Sequence, residues 1–557
     1  MKLLKRLLHT IRLYYFNSPD EKDLIQAYAR RQPASRTPAD APAIAVQCSA
    51  DILYFGVFGE IVTALREHFP LHADQYVFRS LRVGESHFPI GFLWTALVEN
   101  GWSDRRWQRL YAAYCDRVAV RSAAWLSPLA ELRIWRQASR LWRQARDKND
   151  FASLTVDGIL IGDLIIDAYV RFKPSPEFDL RDRYVLRILR QALRDIKKAR
   201  AYFGMRRPKL FLTSYTSYIQ HGIPARVAVA LGIQTVSFGS YQQMCKPLSQ
   251  EDQTHLAEHW HYHERFKALP VTEQRARRAS ADERLNSRMR GEIDNAIGYM
   301  RTSAYAAHST EIPDVKGTVI IYLPDFYDSI HVYRWTAFHD YWEWACFTID
   351  TLSSAGIPFL IKAHPNASPD SKLVYDRLCA RYPALPFVPP GVTTAQLAEA
   401  GIAAGVSPRG TVLSELAFLG VPVIAAGDHP HAEFDLVLPP RTVADYRSRL
   451  LNATQLPRDP QRMRDQACEF YAMHNLLPDP DEVALRDKWL AVRATTMTED
   501  TVSQYTVAKV IASLADLGEA PAFRKYIAEW ANHIAPGQGH LSRRDELGQG
   551  SSLSATV

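Results

Sequence analysis

The sequence has few cysteines, no long apolar run and neither of the common glycine-rich phosphate-binding motifs. Its six cysteines, at positions 48, 115, 245, 346, 379 and 468, are widely spaced and form no C-x-x-C pair, which argues against a disulfide framework and a cysteine-based zinc site. No apolar run approaches the roughly 18 residues needed to cross a bilayer. The absence of G-x-x-x-x-G-K-S/T and G-x-G-x-x-G argues against ATPases and dinucleotide-binding enzymes.

The sequence also lacks strong charge of one sign, and its N-terminal pattern is not that of a typical leader. The formal net charge is +7 over 557 residues, with acids and bases mixed along the chain, so no nucleic-acid partner is expected. Lys5, Arg6 and Arg12 interrupt the apolar stretch at the N-terminus, and no small-residue cleavage site follows, so a signal peptide is not expected. These features predict a cytoplasmic protein with reduced thiols.

The chain does contain short apolar runs that alternate with amphipathic helical segments. In the stretch from 318 to 426, the apolar runs lie at 319–322, 358–361, 401–405 and 421–426. This alternation predicts a parallel α/β sheet, whose functional residues follow the carboxyl ends of the strands. The polar residues at those positions are Asp325, Asp328, His331, Lys362, His364, Ser407, Arg409 and Thr411.

An earlier set of similar units predicts a first Rossmann-like domain from residue 43 to about 265. Apolar runs at 43–46, 209–213 and 233–239 predict strands, and a turn at 49–59 containing Gly56 and Gly59 leads into a predicted helix at 60–68. Asp163, Asp167 and Arg171 fall on one helix face, where they either hold an acceptor hydroxyl or pair with one another. The residues predicted to face the acceptor are Asp51, Asp163, Asp167, Arg171 and His221.

The residues after the second central strand suit a phosphate group. Lys362 supplies positive charge, His364 supplies a hydrogen-bond donor, and Pro365 restricts the turn that carries them. Asp328 and His331, after the first strand, either cap the next helix or act in catalysis. We therefore predict catalytic roles for Asp328, His331 and His364.

The residues around 407–415 also suit a nucleotide. Ser407, Arg409 and Thr411 precede a predicted helix at 412–419, whose N-terminal amides favour anions. Glu415 lies one turn after Thr411 and either accepts from ribose hydroxyls or is an ordinary acid favoured by the helix dipole. Together with Lys362 and His364, these residues predict the donor-binding site.

The segment Lys362-Ala-His-Pro365 is followed, about 45 residues later, by the polar turn, Glu415 and Gly420-Val-Pro-Val-Ile424. This combination resembles the HP-motif GT-B glycosyltransferases of bacterial capsule and lipopolysaccharide assembly, which use CMP-activated Kdo or sialic acid, and the related glycerophosphotransferases of teichoic-acid synthesis. The likeness covers about residues 155 to 450. It implies that His364, Ser407 and Thr411 contact the nucleotide phosphate. Ala363 stands where the family usually has proline.

The sequence therefore predicts an α/β protein of the GT-B class, with two Rossmann-like domains facing across a cleft and C-terminal helices packing back across both. The predicted segments are an amphipathic helix and linker (1–42), an acceptor domain (43–316), a nucleotide-sugar domain (317–455), C-terminal helices (456–535) and a disordered tail (536–557).

The predicted function is metal-independent and cofactor-free transfer of a sugar from a nucleotide-sugar donor, with CMP-Kdo as a candidate, to a growing capsule or lipopolysaccharide glycan or its lipid-linked form. One alternative is a glycerophosphate or polyol-phosphate transferase of the same fold. The other is a non-catalytic polysaccharide-binding assembly protein.

Two further stretches leave two interpretations open. Residues 1–16 form either an interfacial helix on the inner face of the plasma membrane or an ordinary helix packed on its own domain. Residues 103–147 are rich in arginine and tryptophan and form either a surface for glycan or lipid phosphate or a solvated basic face with tryptophan in the core. The histidines between 255 and 263 lack the additional ligands expected of a metal site.

Overall fold

The computed structural model describes residues 16–32, 37–78, 81, 105–122, 124–294, 296, 303–306, 309, 311–364, 371–383, 385–434, 440–496 and 506–535. The predicted N-terminal helix apart from Phe16, the proline of the His-Pro turn and the predicted tail lie outside these residues.

The first sheet confirms the predicted parallel α/β unit. The strands of this half are β1 (Ala43–Gln47), β2 (His72–Val77), β3 (Arg117–Arg121), β4 (Thr155–Val156), β5 (Ile159–Leu160), β6 (Leu210–Thr213), β7 (Gln234–Ser240) and β8 (Gln243–Leu248). Six of them pair in the order β3-β2-β1-β6-β7-β8, and only the β7–β8 pair is antiparallel. Strands β4 and β5 form a separate antiparallel pair.

The second sheet is parallel throughout its described strands. These strands are β9 (Val319–Tyr322), β10 (Phe359–Lys362), β11 (Ala404–Val406) and β12 (Val423–Ile424), paired in the order β10-β9-β11-β12. Both faces of each sheet are covered. Because alternate residues of a strand point to opposite sides of the sheet, one strand contributes to two buried clusters. Val319 and Ile321 join one buried cluster, whereas Ile320 and Tyr322 join another.

Helices cover both sheets. Those of the first half are α1 (Pro19–Arg31), α2 (Ile52–His68), α3 (Arg105–Tyr111), α4 (Pro128–Gln144), α5 (Lys148–Ala152), α6 (Gly162–Phe172), α7 (Arg183–Arg206) and α8 (Tyr218–Ala230). Those that follow are α9 (Tyr262–Lys267), α10 (Val271–Met289), α11 (Tyr341–Ser354), α12 (Ser371–Arg381), α13 (Thr394–Glu399), α14 (Thr411–Phe418), α15 (Val443–Leu451), α16 (Pro460–Tyr471), α17 (Pro480–Thr496), α18 (Val507–Gly518) and α19 (Pro521–Ile534). Within the described ranges, no helix is long and apolar enough to span a bilayer.

The C-terminal helices pack across both halves, as predicted. Helix α16 packs with α10 and α14 in the core of the second half, where Ala467, Phe470 and Tyr471 are buried. Helices α17, α18 and α19 return to the first half and bury Trp489 and Leu514 against α2. The connector helix α10 shares the second core, and the exact domain boundary near residue 316 stays a prediction.

One local prediction was wrong. Gly56 and Gly59 lie inside α2, which begins at Ile52, and not in a turn before a helix at 60–68. A Cβ at Gly56 would lie 2.6 Å from a Leu514 side-chain atom, and one at Gly59 would lie 2.5 Å from a ring atom of Tyr28. The glycines therefore permit close packing of other helices on α2 and do not line a ligand.

Candidate active site

A cavity of about 1130 Å³ lies between the two sheets. Its lining includes residues that follow β1, β6 and β7 in the first half and β9, β10, β11 and β12 in the second. The carboxyl ends of both parallel sheets therefore face one cavity, which is where open α/β sheets bind their ligands. Of the predicted site residues, the lining contains Asp51, Asp328, Lys362, His364, Ser407, Arg409, Thr411 and Glu415.

Arg409 is the principal cation of the second-domain wall. Its guanidinium carbon lies 5.3 Å from the ring centre of Tyr333 and 5.4 Å from that of Tyr341, and its side chain is only 15% exposed. Burial lowers the pKa of Arg409, but Tyr341 and Asp328 outweigh burial and raise it above its ordinary value. Nη1 of Arg409 and the hydroxyl of Tyr341 are buried and have no hydrogen-bond partner within the described structure. A stacked cation with an unused donor suits a phosphate.

His429, which sequence reasoning missed, lies beside the N-terminus of α14. The backbone N–H of Gly410 donates to Nε2 of His429 over 3.0 Å, so the proton of the neutral ring is on Nδ1. Burial and the neighbouring His431 hold the pKa of His429 well below its ordinary value, which keeps the ring neutral. Nδ1 is buried and has no partner among the described residues. His429 therefore presents a neutral N–H donor.

Backbone geometry places this ring. Gly410 has a φ of 128°, a value that side-chain-bearing residues rarely adopt, and it is the N-cap residue of α14. His429 follows the end of β12 as His364 follows the end of β10, so the carboxyl-end rule applied to the fourth strand would have found His429.

Lys362 and His364 line the cavity, as the strand pattern predicted. Nζ of Lys362 donates to the backbone oxygen of Val392 over 2.6 Å, and burial lowers its pKa. The backbone N–H of His364 donates to the hydroxyl of Tyr375 over 3.3 Å. Burial lowers the pKa of His364, although Asp325 and Asp328 oppose the shift.

Ser407 and Thr411 have different places in the same loop. Oγ of Ser407 is buried, 3.1 Å from the carbonyl oxygen of Tyr322 and 2.9 Å from that of Arg409. The hydroxyl proton of Ser407 is therefore used in hydrogen bonding to the backbone and stabilises the turn. Thr411 is the first residue of α14 and its side chain is exposed to the cavity. Thr411 is therefore better placed to meet an anion at the helix N-terminus.

Glu415 is buried beside the cavity, and both of its carboxylate oxygens already have partners. Arg288 Nη2 donates to one oxygen and the hydroxyl of Tyr305 donates to the other. Neither residue was singled out from the sequence, because they come from segments more than 100 positions away. This arrangement favours the structural role of Glu415 over contact with ribose.

Asp51 is the half-buried carboxylate of the first-domain wall. It is the N-cap residue of α2, and one oxygen accepts the backbone N–H of Leu53 over 2.8 Å. Burial raises the pKa of Asp51, although Leu53 and Arg493 lower it. A carboxylate with a raised pKa at a cavity is typical of a group that exchanges protons.

Aromatic side chains complete this wall. The ring centres of Tyr54 and Trp489 lie 5.6 Å apart, and the guanidinium carbon of Arg493 lies 5.4 Å from the ring centre of Tyr241. The indole Nε1 of Trp489 is buried without a partner in the described part of the chain. Trp489 and Arg493 belong to α17, and no local sequence signal connects that helix to the first sheet.

Five predicted residues do not line the cavity: Asp163, Asp167, Arg171, His221 and His331. Asp163 forms a bidentate pair with Arg226 at 2.6–2.7 Å, and His221 Nδ1 lies 3.1 Å from Oε1 of Gln47. Arg171 lies in the last turn of α6.

Asp167 and His331 instead join the two halves. His331 Nδ1 lies 2.8 Å from Oδ1 of Asp167, which also accepts the backbone N–H of Ile330. Burial lowers the pKa of His331, but Asp167 outweighs burial and raises it. Asp340 makes a second connection, since it accepts from Lys148 over 2.7 Å. These pairs hold the first half against the second.

The histidines between 255 and 263 do not share a ligand-binding arrangement. His255 lies 2.9 Å from the hydroxyl of Thr216, whereas His259 lies 3.2 Å from Asp428. Over the described ranges, no group of three or more His, Cys, Asp or Glu side chains is placed to hold a metal ion. Metal independence stays a prediction.

Comparison with known proteins yields distant structural similarity. No family model matches the chain, and no curated protein matches it. The UDP-GlcNAc 2-epimerase of Methanocaldococcus jannaschii, solved with UDP-GlcNAc and UDP, is 9% identical, with 77% of this chain and 97% of that chain covered and a TM-score of 0.23. A glycotransferase of kitacinnamycin is 10% identical, with 89% and 95% covered and a TM-score of 0.19. A calicheamicin glycosyltransferase is 10% identical, with 89% and 94% covered and a TM-score of 0.18. These scores are too low to assign function.

The class of fold follows from the molecule itself. Two Rossmann-like α/β halves, with the carboxyl ends of their strands on one cavity and C-terminal helices returning across both, form the GT-B architecture. One wall contains a cation and neutral hydrogen-bond donors, and the other contains a half-buried carboxylate and aromatic rings.

Proposed function

We propose that this chain is a GT-B glycosyltransferase that uses a nucleotide-sugar donor and needs no metal ion. The observation that carries the proposal is the pairing of unused donors on one wall with a half-buried carboxylate, Asp51, on the other. Arg409 and His429 line the cavity together with the N-terminus of α14, and each keeps a buried N–H group that has no partner among the described residues. Such a wall suits the phosphate of a donor, while Asp51 and Tyr241 on the opposite wall suit an acceptor sugar.

The donor wall stabilises the leaving group in this proposal. As the bond between the sugar and the phosphate oxygen breaks, negative charge grows on that oxygen. The guanidinium of Arg409, the Nδ1–H of His429 and the amides of α14 stabilise this charge without carrying a proton away. His364 and Lys362 extend the same wall.

The acceptor wall supplies the base in an inverting reaction. The acceptor hydroxyl attacks the anomeric carbon and gives its proton to Asp51, whose burial raises its pKa toward the working range of a general base. The ring of Tyr241, which lines the cavity and is only partly buried, offers an apolar face for a sugar. CMP-Kdo as the donor and a capsule or lipopolysaccharide glycan as the acceptor rest on the sequence resemblance.

A substitution at Asp51 tests the base without removing the helix cap. Asparagine is as good an N-cap as aspartate, so Asp51→Asn keeps the bond to Leu53 but removes the basic carboxylate. We expect kcat to fall by about 10²–10⁴-fold while the nucleotide Kd and the melting temperature stay close to those of the parent protein. Parent-like kcat in Asp51→Asn would exclude Asp51 as the base.

A ligand panel separates the alternatives. Thermal shift with CMP, UDP, GDP and CDP-glycerol identifies the nucleotide class, and transfer of sugar to a glycan acceptor after EDTA treatment tests metal independence. Stabilisation by CDP-glycerol with polyol-phosphate transfer would favour the related transferase. Binding of glycan without any nucleotide would favour an assembly protein, and epimerised nucleotide sugar without transfer would contradict glycosyl transfer.

A further inference from the structure

Helix α4 carries apolar and basic side chains on one exposed face. Leu129 is 70% exposed, Leu132 is 42% exposed and Trp135 is 47% exposed. The exposed arginines of the same helix are Arg133, Arg136, Arg140 and Arg143. We define these seven residues as the α4 face.

The α4 face is separate from the packed side of the helix. Ile134 and Ala138 are fully buried in the core that α4 shares with α7. At about 100° per residue, Leu129, Leu132, Arg136, Arg140 and Arg143 lie within an arc of about 80°, and Trp135 lies about 60° beyond Leu132. The apolar residues occupy the first half of the helix and the arginines continue along it for roughly 21 Å in all.

The charge on this face is unbalanced. Arg133, Arg136 and Arg140 have no acidic partner among the described residues. Glu131, the acidic residue of the same helix, is already paired with Arg194. Arg194 donates to both carboxylate oxygens of Glu131 over 2.9 Å. The face therefore combines exposed hydrocarbon with uncompensated positive charge.

We propose that the α4 face docks the first domain onto an anionic lipid bilayer. Leucine and tryptophan side chains enter the boundary between headgroups and acyl chains, and guanidinium groups pair with lipid phosphates. A second copy of the same face would be repelled by its like charge, and a soluble polyanion would not use the three apolar side chains. Each arginine near an anionic surface contributes about fivefold to the partition coefficient.

This surface bears on substrate access and not on the chemistry of the cavity. None of its residues lines the cavity. Its action is also distinct from that predicted for residues 1–16, because α4 belongs to the folded first domain. It would bring the cavity close to acceptors that are attached to lipid.

Vesicle flotation of the full chain tests the proposal. The probes are vesicles of pure phosphatidylcholine and vesicles that contain phosphatidylglycerol at one third of the lipid. We expect binding to the anionic vesicles alone, reduced about 100-fold by Arg133→Gln/Arg136→Gln/Arg140→Gln and reduced at least tenfold by Leu129→Ser/Leu132→Ser/Trp135→Ser. Melting temperature and nucleotide affinity should stay at parent values in both variants, since neither alters the buried side of α4.

A matched control removes the same charge elsewhere. Arg275, Arg284 and Arg447 are exposed on α10 and α15, and Arg275→Gln/Arg284→Gln/Arg447→Gln has the same net charge as the α4 arginine variant. This control should keep at least half of the vesicle binding. Equal loss in both arginine variants, or unchanged binding in the α4 variants, would overturn the proposal. An oligomer detected by light scattering would also overturn the proposal, if the apolar α4 variant dissociated it and the arginine variants did not.

Discussion

Arg409→Lys is the sharpest perturbation of the proposed donor site. Lysine keeps the positive charge, but it loses the planar fork and the stacking on Tyr333 and Tyr341. The unused Nη1 donor, which has no partner within the described structure, is the group expected to reach the phosphate. A hydrogen bond to a charged group contributes about 1.5–3 kcal/mol, so its loss should weaken nucleotide binding by roughly 10- to 150-fold.

The effect on stability should be smaller. A cation–π contact contributes about 0.5–1 kcal/mol at exposed sites and about 2 kcal/mol when desolvated, and lysine retains part of this attraction, so the substitution should lower the free energy of unfolding by roughly 1–2 kcal/mol. The assay is calorimetric titration with the nucleotide that the thermal-shift panel identifies, paired with urea denaturation of the apo protein. A loss of stability that leaves the protein folded would not change the nucleotide Kd. A weaker Kd therefore reports the lost contact with phosphate.

Arg441→Lys is the matched control. The guanidinium of Arg441 also stacks on an aromatic ring, 3.6 Å from the centre of Trp335, but Arg441 lies outside the cavity lining. Its substitution should leave the Kd within about twofold of the parent value, below the loss of one hydrogen bond. A folded Arg409→Lys protein with parent-like Kd would refute the placement of phosphate beside Arg409.

The remaining predictions concern three other positions. His364→Ala should lower kcat about 10²–10³-fold without unfolding the protein, as measured by turnover and circular dichroism, and normal turnover would remove His364 from the mechanism. Glu415→Gln should lower the free energy of unfolding by about 1.5–3 kcal/mol, because Arg288 loses one charged hydrogen-bond partner but keeps Asp294 at 3.8 Å, and should leave nucleotide Kd unchanged in calorimetry. A weakened Kd with parent-like melting would instead restore the ribose role. Because the pKa of His331 is raised in the folded protein, its pairing with Asp167 stabilises the fold fully below the unfolded histidine pKa of about 6.5, and this stabilisation is lost as pH rises through the raised value. Urea denaturation of the parent protein and of Asp167→Asn between pH 5 and pH 9 should show this contribution as the difference between their pH profiles, because buried histidines such as His429 contribute with the opposite sign in both proteins. Identical profiles would contradict the pairing.

Local sequence pattern determined the layers of the fold. The alternation of apolar runs with helical segments was sufficient to predict β1, β6, β7, β9, β10 and β11, since period-two and period-3.6 burial leave direct traces in the order of residues. The carboxyl-end rule then located His364 and Arg409, because in a parallel sheet the position of a residue just after a strand already specifies its edge of the sheet.

Contacts between distant segments were decided only by tertiary structure. Asp167 pairs with His331, and Glu415 pairs with Arg288. These contacts depend on how whole domains and connectors pack. The partners are more than 100 residues apart along the chain, so no local sequence pattern predicts the contacts. The close packing of Leu514 against Gly56 of α2 likewise joins segments that are far apart along the chain. Side chains recruited from returning helices, such as Trp489, become part of a site through packing of apolar faces, which is non-directional and therefore leaves no local motif.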